Sequence, residues 1–229
     1  MADENRSGCG LQVVEPCPED VPEEDQGGGS LLASLARLHA ELTRERAAAP
    51  ALAAELLSDP AGLQEERLRG EARFQTWGVC ELLLAGAESE DDPAEAGHLA
   101  RLALAGTDLL DPARHAPSVV EDLKARVWAA RGDARRRRGD LTGAEEALRE
   151  AAGCLSRGTG DLLVEARLLE LEASLRRAQG RTGEAAGLFK QAAARYRQIG
   201  DQPRHDRALA EREATLRQGG SSHSSRSLV

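Results

Sequence analysis

Apolar residues recur along most of this chain every three or four positions, the period of a helix that buries one face. Leu31, Leu32, Leu35, Leu38 and Leu42 mark a first helix over about 31–48. Ser30 is placed to cap it and Pro50 to end it. A short helix over about 51–57 stops at Asp59-Pro60. A longer one follows over about 63–87, with Phe74, Trp77, Leu82 and Leu84 along it. Gly70 and Gly78 interrupt its interior, and glycines there suit close approach of a neighbouring helix. Asp92-Pro93, an N-cap followed by proline at the first helical position, opens a helix over about 93–110. Beyond the proline-bearing loop 111–117, the pattern gives helices over about 119–138, 142–156, 161–179, 183–199 and 204–218. The last is charged at most positions, with Leu209, Ala210 and Leu216 left for an inner side. That pattern suits a helix that covers the end of an array.

Four of these helices repeat as two hairpins. Gly139-Asp140-Leu141-Thr142-Gly143-Ala144 superposes on Gly180-Arg181-Thr182-Gly183-Glu184-Ala185 at an offset of 41 residues, and the same offset takes Leu148 to Phe189 and Ala151 to Ala192. A fixed period of this size is the mark of a stacked helical array. In the first copy Trp128 is followed by Gly132 four residues on, Gly139 seven on, Ala144 five on, Leu148 four on and Ala151 three on. These are the separations of the tetratricopeptide repeat, and the chain resembles that family here. The second copy has Leu169 where the family has Trp and Ala173 where it has the first Gly. Both copies exceed the family's usual 34 residues because the loops between hairpins are longer. Residues 63–110 read as a third, divergent hairpin. The fold expected from this likeness is all-α, a right-handed superhelix of stacked antiparallel hairpins over 63–218, preceded by helices in 30–62.

Composition agrees with the class. Ala, Leu, Arg and Glu dominate, aromatics are 2%, and the residues that favour strands are thin. The net charge of −9 is uneven: residues 1–29 carry eight acids against Arg6, a net of −7, leaving −2 for the rest. With three prolines and Gly27-Gly28-Gly29 as a hinge, 1–29 reads as a disordered acidic tail, and Ser/Gly-rich 219–229 as a second disordered end. A nearly neutral body argues against nucleic acid as a general partner. The N-terminus lacks the basic and apolar regions of a secretory signal, and no apolar run reaches the ~20 residues of a membrane span, so a cytoplasmic protein is expected. Cys80 and Cys154 lie in helical patterns and read as small core residues, while the spacing of Cys9 and Cys17 suits no standard zinc motif. The Ala/Arg/Leu/Gly-rich usage points to a GC-rich bacterial genome.

Candidate chemistry is sparse. No glycine-rich phosphate loop, HExxH or nucleophile elbow occurs, and the five histidines are scattered, so neither an enzyme nor a cofactor is expected. Arg135 to Arg138 are four successive helical residues, which fan through about 300° and cannot make one face. They read as solvated cations near a helix C-terminus, where the dipole favours them.

The likeness to the repeat family adds a site. In that family the first helix of each hairpin lines a concave, peptide-binding surface. Its groove positions fall on Arg126, Ala129, Asp133, Arg136 and Arg137 in the first copy, and on Arg167, Glu170, Ser174, Arg177 and Ala178 in the second. Arginine recurs at two equivalent sites, 126/167 and 136/177, which stacking would set in two rows. Arg presents a planar fork suited to carboxylates, so an acidic partner segment is implied. The alternative is that these arginines pair with Asp133 and Glu170 as surface ion pairs. The family's clamp for a C-terminal carboxylate uses Lys and Asn where Ala129 and Asp133 stand here, so that activity is not implied. The resemblance implies a non-enzymatic protein-binding scaffold, in bacterial signalling or transcriptional regulation, with the acidic tail as a competitor for the groove. Two other classes stay open: a regulator touching nucleic acid through helix 119–138, and a self-associating structural module.

Overall fold

A computed structural model describes the backbone of residues 26–224 and the side chains of residues 32–219. Chain contacts divide it into two compact units, residues 1–38 and 39–229. In the first, the described part is the opening length of α1 (Gln26–Leu57), on which Leu32, Leu35 and Leu38 are exposed. Ser30 and the glycine run therefore sit within a helix rather than at a cap and hinge. Helix propagation gains one hydrogen bond per residue fixed, so a strong leucine-rich segment carries weak formers before it. The acidic segment up to Asp25, with Cys9 and Cys17, lies outside the described residues.

In the second unit every regular element among the described residues is helical. After α1 come α2 (Ala61–Gly70), a 3-10 turn (Ala72–Phe74), α3 (Trp77–Ser89), α4 (Pro93–Thr107), α5 (Pro117–Arg137), α6 (Leu141–Arg157), α7 (Leu162–Ala178), α8 (Thr182–Gln198) and α9 (Gln202–Ser224). The closest packing is between sequence neighbours: α3 with α4, α5 with α6, α7 with α8, and α8 with α9. Three corrections to the sequence reading follow. Pro50 does not end α1. Ala49, Leu52, Ala53 and Leu56 form one inward face across it, so packing offsets the hydrogen bond that proline cannot donate. The expected 63–87 helix is broken. Gln75 Nε2 donates to the Leu68 and Arg69 carbonyls at 3.1 and 2.9 Å, closing α2, and Thr76 Oγ1 accepts from Val79 N–H at 3.3 Å, opening α3. The first hairpin is thus α3–α4, with buried Phe74 outside it. Finally, α9 runs on through Ser224 where a disordered end was expected. Its buried stripe is Ala208 and Thr215, with Leu209 partly covered, whereas Ala210 and Leu216 face solvent.

The repeat offset is visible in the core. Ala144, Leu148 and Ala151 of α6 are buried, as are Ala185, Phe189 and Ala192 of α8. Gly132 holds the α5–α6 contact: a Cβ there would stand 3.0 Å from Leu148 Cδ2. Cys80 is fully buried in the cluster that joins α3, α4 and α5, and Cys154 is buried between α6 and its neighbours. Asp122 of α5 is buried and staples the α6–α7 link, accepting from Thr159 N–H at 3.1 Å and from its hydroxyl at 2.5 Å.

The turns after α5, α7 and α8 share one device. Gly139, Gly180 and Gly200 have φ of 83°, 77° and 76°. In each turn the glycine N–H and the next N–H close back on helix carbonyls, as Gly139 to Arg136 at 3.0 Å and Asp140 to Arg135 at 3.0 Å. A side chain is strained at this φ, so Gly139→Ala is expected to lose about 1–2 kcal/mol in urea unfolding. Gly187→Ala is the opposite case. Gly187 is exposed inside α8 and a Cβ there meets nothing within 4 Å, so the variant is expected to gain about 0.5–1 kcal/mol.

Candidate functional site

Helices α3, α5 and α7, the first helices of three successive hairpins, lie side by side. Between them is an open cleft of about 740 Å³, counting the space continuous with solvent. Its floor exists because α5 is small there: Ala125, Ala129 and Ala130 are buried and leave room that larger residues would fill. Val164, Leu168 and Leu171 of α7 supply the opposite apolar wall.

Charge sits at the rim. Glu88, at the end of α3, places Oε1 3.6 Å from Arg126 Nη2 and 3.5 Å from Arg167 Nη1. One carboxylate is shared by two guanidinia, and both separations are longer than the 2.7–2.9 Å of a close charge-assisted bond. Arg126 Nε, buried against the cleft, has no hydrogen-bond partner among the described residues. The Arg126–Glu88–Arg167 bridge is therefore loose.

Of the residues expected in the groove, Arg126, Asp133, Arg167 and Glu170 line this cleft together with Ala129. The second arginine row does not form. Arg136 Nη2 pairs with Asp133 at 2.7 Å. Arg137 pairs with the same carboxylate at 3.2 Å and donates to the Glu90 and Asp91 carbonyls at 2.9 and 3.1 Å, tying α5 to the α3–α4 turn. Arg177 is drawn away to Glu211 of α9 at 2.6 Å and lies over the Phe189 ring. Ser174 Oγ donates back to the Glu170 carbonyl at 2.9 Å. Glu170 is itself engaged, accepting from the Tyr196 hydroxyl at 2.7 Å and from Arg207 at 3.2 Å. Sequence reasoning missed Glu88. Its helix was merged with α2 in the 63–87 reading, which hid the start of a hairpin at Trp77 and with it the groove-facing end of α3.

Among the described residues no three metal-ligating side chains converge, and no helix is long and apolar enough to cross a membrane. No family model matches the chain, and no curated protein or solved structure matches it.

Proposed function

We propose that this chain is a non-enzymatic scaffold of tetratricopeptide type, its hairpins wound in a right-handed superhelix, that holds a segment of another protein in the α3/α5/α7 cleft. The reading rests on the loose Arg126–Glu88–Arg167 bridge over an alanine floor. An acidic side chain of the partner takes the place of Glu88 between the two guanidinia, and an apolar side chain of the same segment seats on Ala125, Ala129 and Leu168. Glu88 is then an internal competitor, and the partner's affinity is the difference between its own carboxylate contacts and those it displaces. The cleft is open to solvent and lined by alanine and leucine beside the two arginines, which suits a side chain or two of an extended or helical peptide. The setting proposed is cytoplasmic, in bacterial signalling or transcriptional regulation.

The test uses full-length protein as bait, beside Arg126→Ala/Arg167→Ala and Glu88→Gln variants, with captured proteins identified by mass spectrometry and affinities then measured by titration. Hydrogen bonds to charged groups contribute ~1.5–3 kcal/mol, so the double alanine variant is expected to weaken the partner by about tenfold or more. Glu88→Gln is expected to tighten it, because it frees both guanidinia. A partner held equally by all three proteins would place its site elsewhere and sink this reading.

A further inference from the structure

The arginines that fan apart along the sequence meet others across helices. Arg131, Arg135 and Arg138 stand at i, i+4 and i+7 on α5 and so share one face. With Arg101 and His98 of α4 they line a second cleft, of about 540 Å³ counting open space, between α4 and α5. No carboxylate is among the residues that line it. Arg131 and Asp133 are two residues apart, about 200° around the helix, so this face is separate from the α3/α5/α7 cleft.

Two of these cations, Arg131 and Arg138, have no carboxylate within ion-pair reach among the described residues, and Arg101 and Arg135 have only distant ones, at 3.9 to 4.0 Å. Arg131 lies 4.9 Å from the centroid of the Trp128 ring. Burial, and then the charges of Arg135 and Arg101, push its guanidinium below the ordinary arginine range. Arg135 Nη1 donates to the Gly143 carbonyl at 2.8 Å, while its nearest carboxylates, Asp140 and Glu146, stand off at 4.0 and 3.9 Å. Arg101 donates to His98 Nδ1 at 2.7 Å, which puts the imidazole proton on Nε2, 2.6 Å from Oε1 of buried Gln64. Glu65 is 3.9 Å from Arg101 and is held by Arg69 at 3.0 Å. Neither Arg131 nor Arg138 forms an ion pair among the described residues, whereas Arg135, Arg136 and Arg137 between them do. Asp92 already occupies the amides of Ala94 and Glu95, so the start of α4 offers little and the arginines must carry any binding.

We propose that the α4–α5 cleft binds a compact oligophosphate, a di- or triphosphate group that is free or carried on a nucleoside. Four guanidinia surround one small volume. Arg131 and Arg138 have no ion pair among the described residues, and the carboxylates near Arg101 and Arg135 stand off at 3.9 to 4.0 Å. A compact ligand that engages all four therefore displaces only these weak contacts and needs more than two negative charges. A phosphate monoester brings only about −1.5 to −2. A nucleic-acid backbone spreads its charge along a track, and beyond residue 29 the chain has a net charge of −2. Planar guanidinium forks match phosphate oxygens in pairs, and Arg101 is already oriented by the His98–Gln64 chain.

Calorimetric titration of the full-length protein at low ionic strength tests this, with inorganic pyrophosphate, ADP and inorganic phosphate as probes. The variants are Arg131→Gln and Arg138→Glu in the cleft, and Arg217→Glu on α9 as a control of equal charge change. Arg138 is exposed, so its substitution leaves the fold in place, which circular dichroism checks. Saturable pyrophosphate binding is expected in the wild type and the control, weakened about tenfold or more in both cleft variants, with inorganic phosphate weaker by a similar factor. ADP tighter than pyrophosphate would assign a nucleoside-borne ligand; equal affinities would assign the phosphate chain alone. The proposal is overturned if neither pyrophosphate nor ADP saturates the wild type, if Arg138→Glu binds as the wild type does, or if Arg217→Glu loses as much as the cleft variants.

Discussion

Tyr196→Ala is expected to lose about 3–5 kcal/mol in denaturant unfolding, the range for removing a buried aromatic ring. Tyr196 is fully buried where α7, α8 and α9 meet. The other buried members of that cluster are Ala166, Ala192, Ala193 and Ala208. Alanines have no rotamers with which to refill a void, so only the partly buried Leu163, Leu169 and Leu209 around the cluster can move into it. Total stabilities run from about 5 to 15 kcal/mol, so this one change takes a large share. The hydroxyl adds a separable part. It donates to Glu170 at 2.7 Å, and burial followed by that contact raises the phenol above its ordinary pKa. Tyr196→Phe keeps the ring, and Glu170 keeps Arg207, so about 1 kcal/mol is expected for the hydroxyl alone. A loss below about 1 kcal/mol for Tyr196→Ala would mean that α9 does not depend on this ring.

Gly78→Ala is the second large effect, and two opposing terms decide its sign. Gly78 is the second residue of α3, where alanine gains at most the roughly 1 kcal/mol over glycine that applies to a helix interior. Against this, a Cβ on Gly78 would stand 2.5 Å from the Glu45 carbonyl oxygen and 2.9 Å from the Arg46 nitrogen. Both are backbone atoms of α1, so no rotamer change relieves the overlap and the two helices must part. Parting also strains the Trp77 N–H bond to Glu45 Oε2 at 2.8 Å and the Arg46–Glu81 pair at 2.7 Å. Overpacking typically costs about 1–3 kcal/mol, and with these bonds weakened a net loss of about 2–3 kcal/mol is expected. Chemical denaturation of Gly78→Ala beside Gly187→Ala reads the contrast directly, since the same substitution is expected to move stability in opposite directions. Equal shifts would refute the close α1–α3 crossing.

The parts of this structure that were legible in the sequence are those where a local rule acts alone. The turn glycines 139 and 180, the Asp92-Pro93 start of α4 and the buried Ala144/Ala185 and Leu148/Phe189 positions each follow from spacing and backbone preference. Where tertiary packing overrides the local rule, the sequence misled. Pro50 sits inside α1 because Ala49, Ala53 and Leu56 are buried on both sides of it. The break before Trp77 was hidden because apolar residues continue through Phe74, and the cap at Thr76 carries no apolar signal. Gly70 and Gly78 looked alike in sequence, yet a Cβ on Gly70, the last residue of α2, meets nothing within 4 Å while one on Gly78 meets the backbone of α1. The candidate site divided in the same way. Arg126 and Arg167, at equivalent repeat positions, line the same cleft, whereas Arg177 pairs with Glu211, which is distant in sequence. The α4–α5 arginines were missed because their grouping exists only between helices.

The two buried cysteines make this chain its own reporter of local opening. Burial pushes the Cys80 thiol up to about 12 and raises that of Cys154 as well, so little thiolate is present at neutral pH even before access is considered. Alkylation at either position must wait for its surroundings to part, and the two lie in successive hairpins, α3–α4 and α5–α6. Mass mapping of labelled peptides over time would therefore rank the hairpins by opening free energy without any engineered probe. A segment seated in the α3/α5/α7 cleft would slow labelling at both sites together if it clamps the hairpins as one cooperative unit, and at one site only if each hairpin breathes alone.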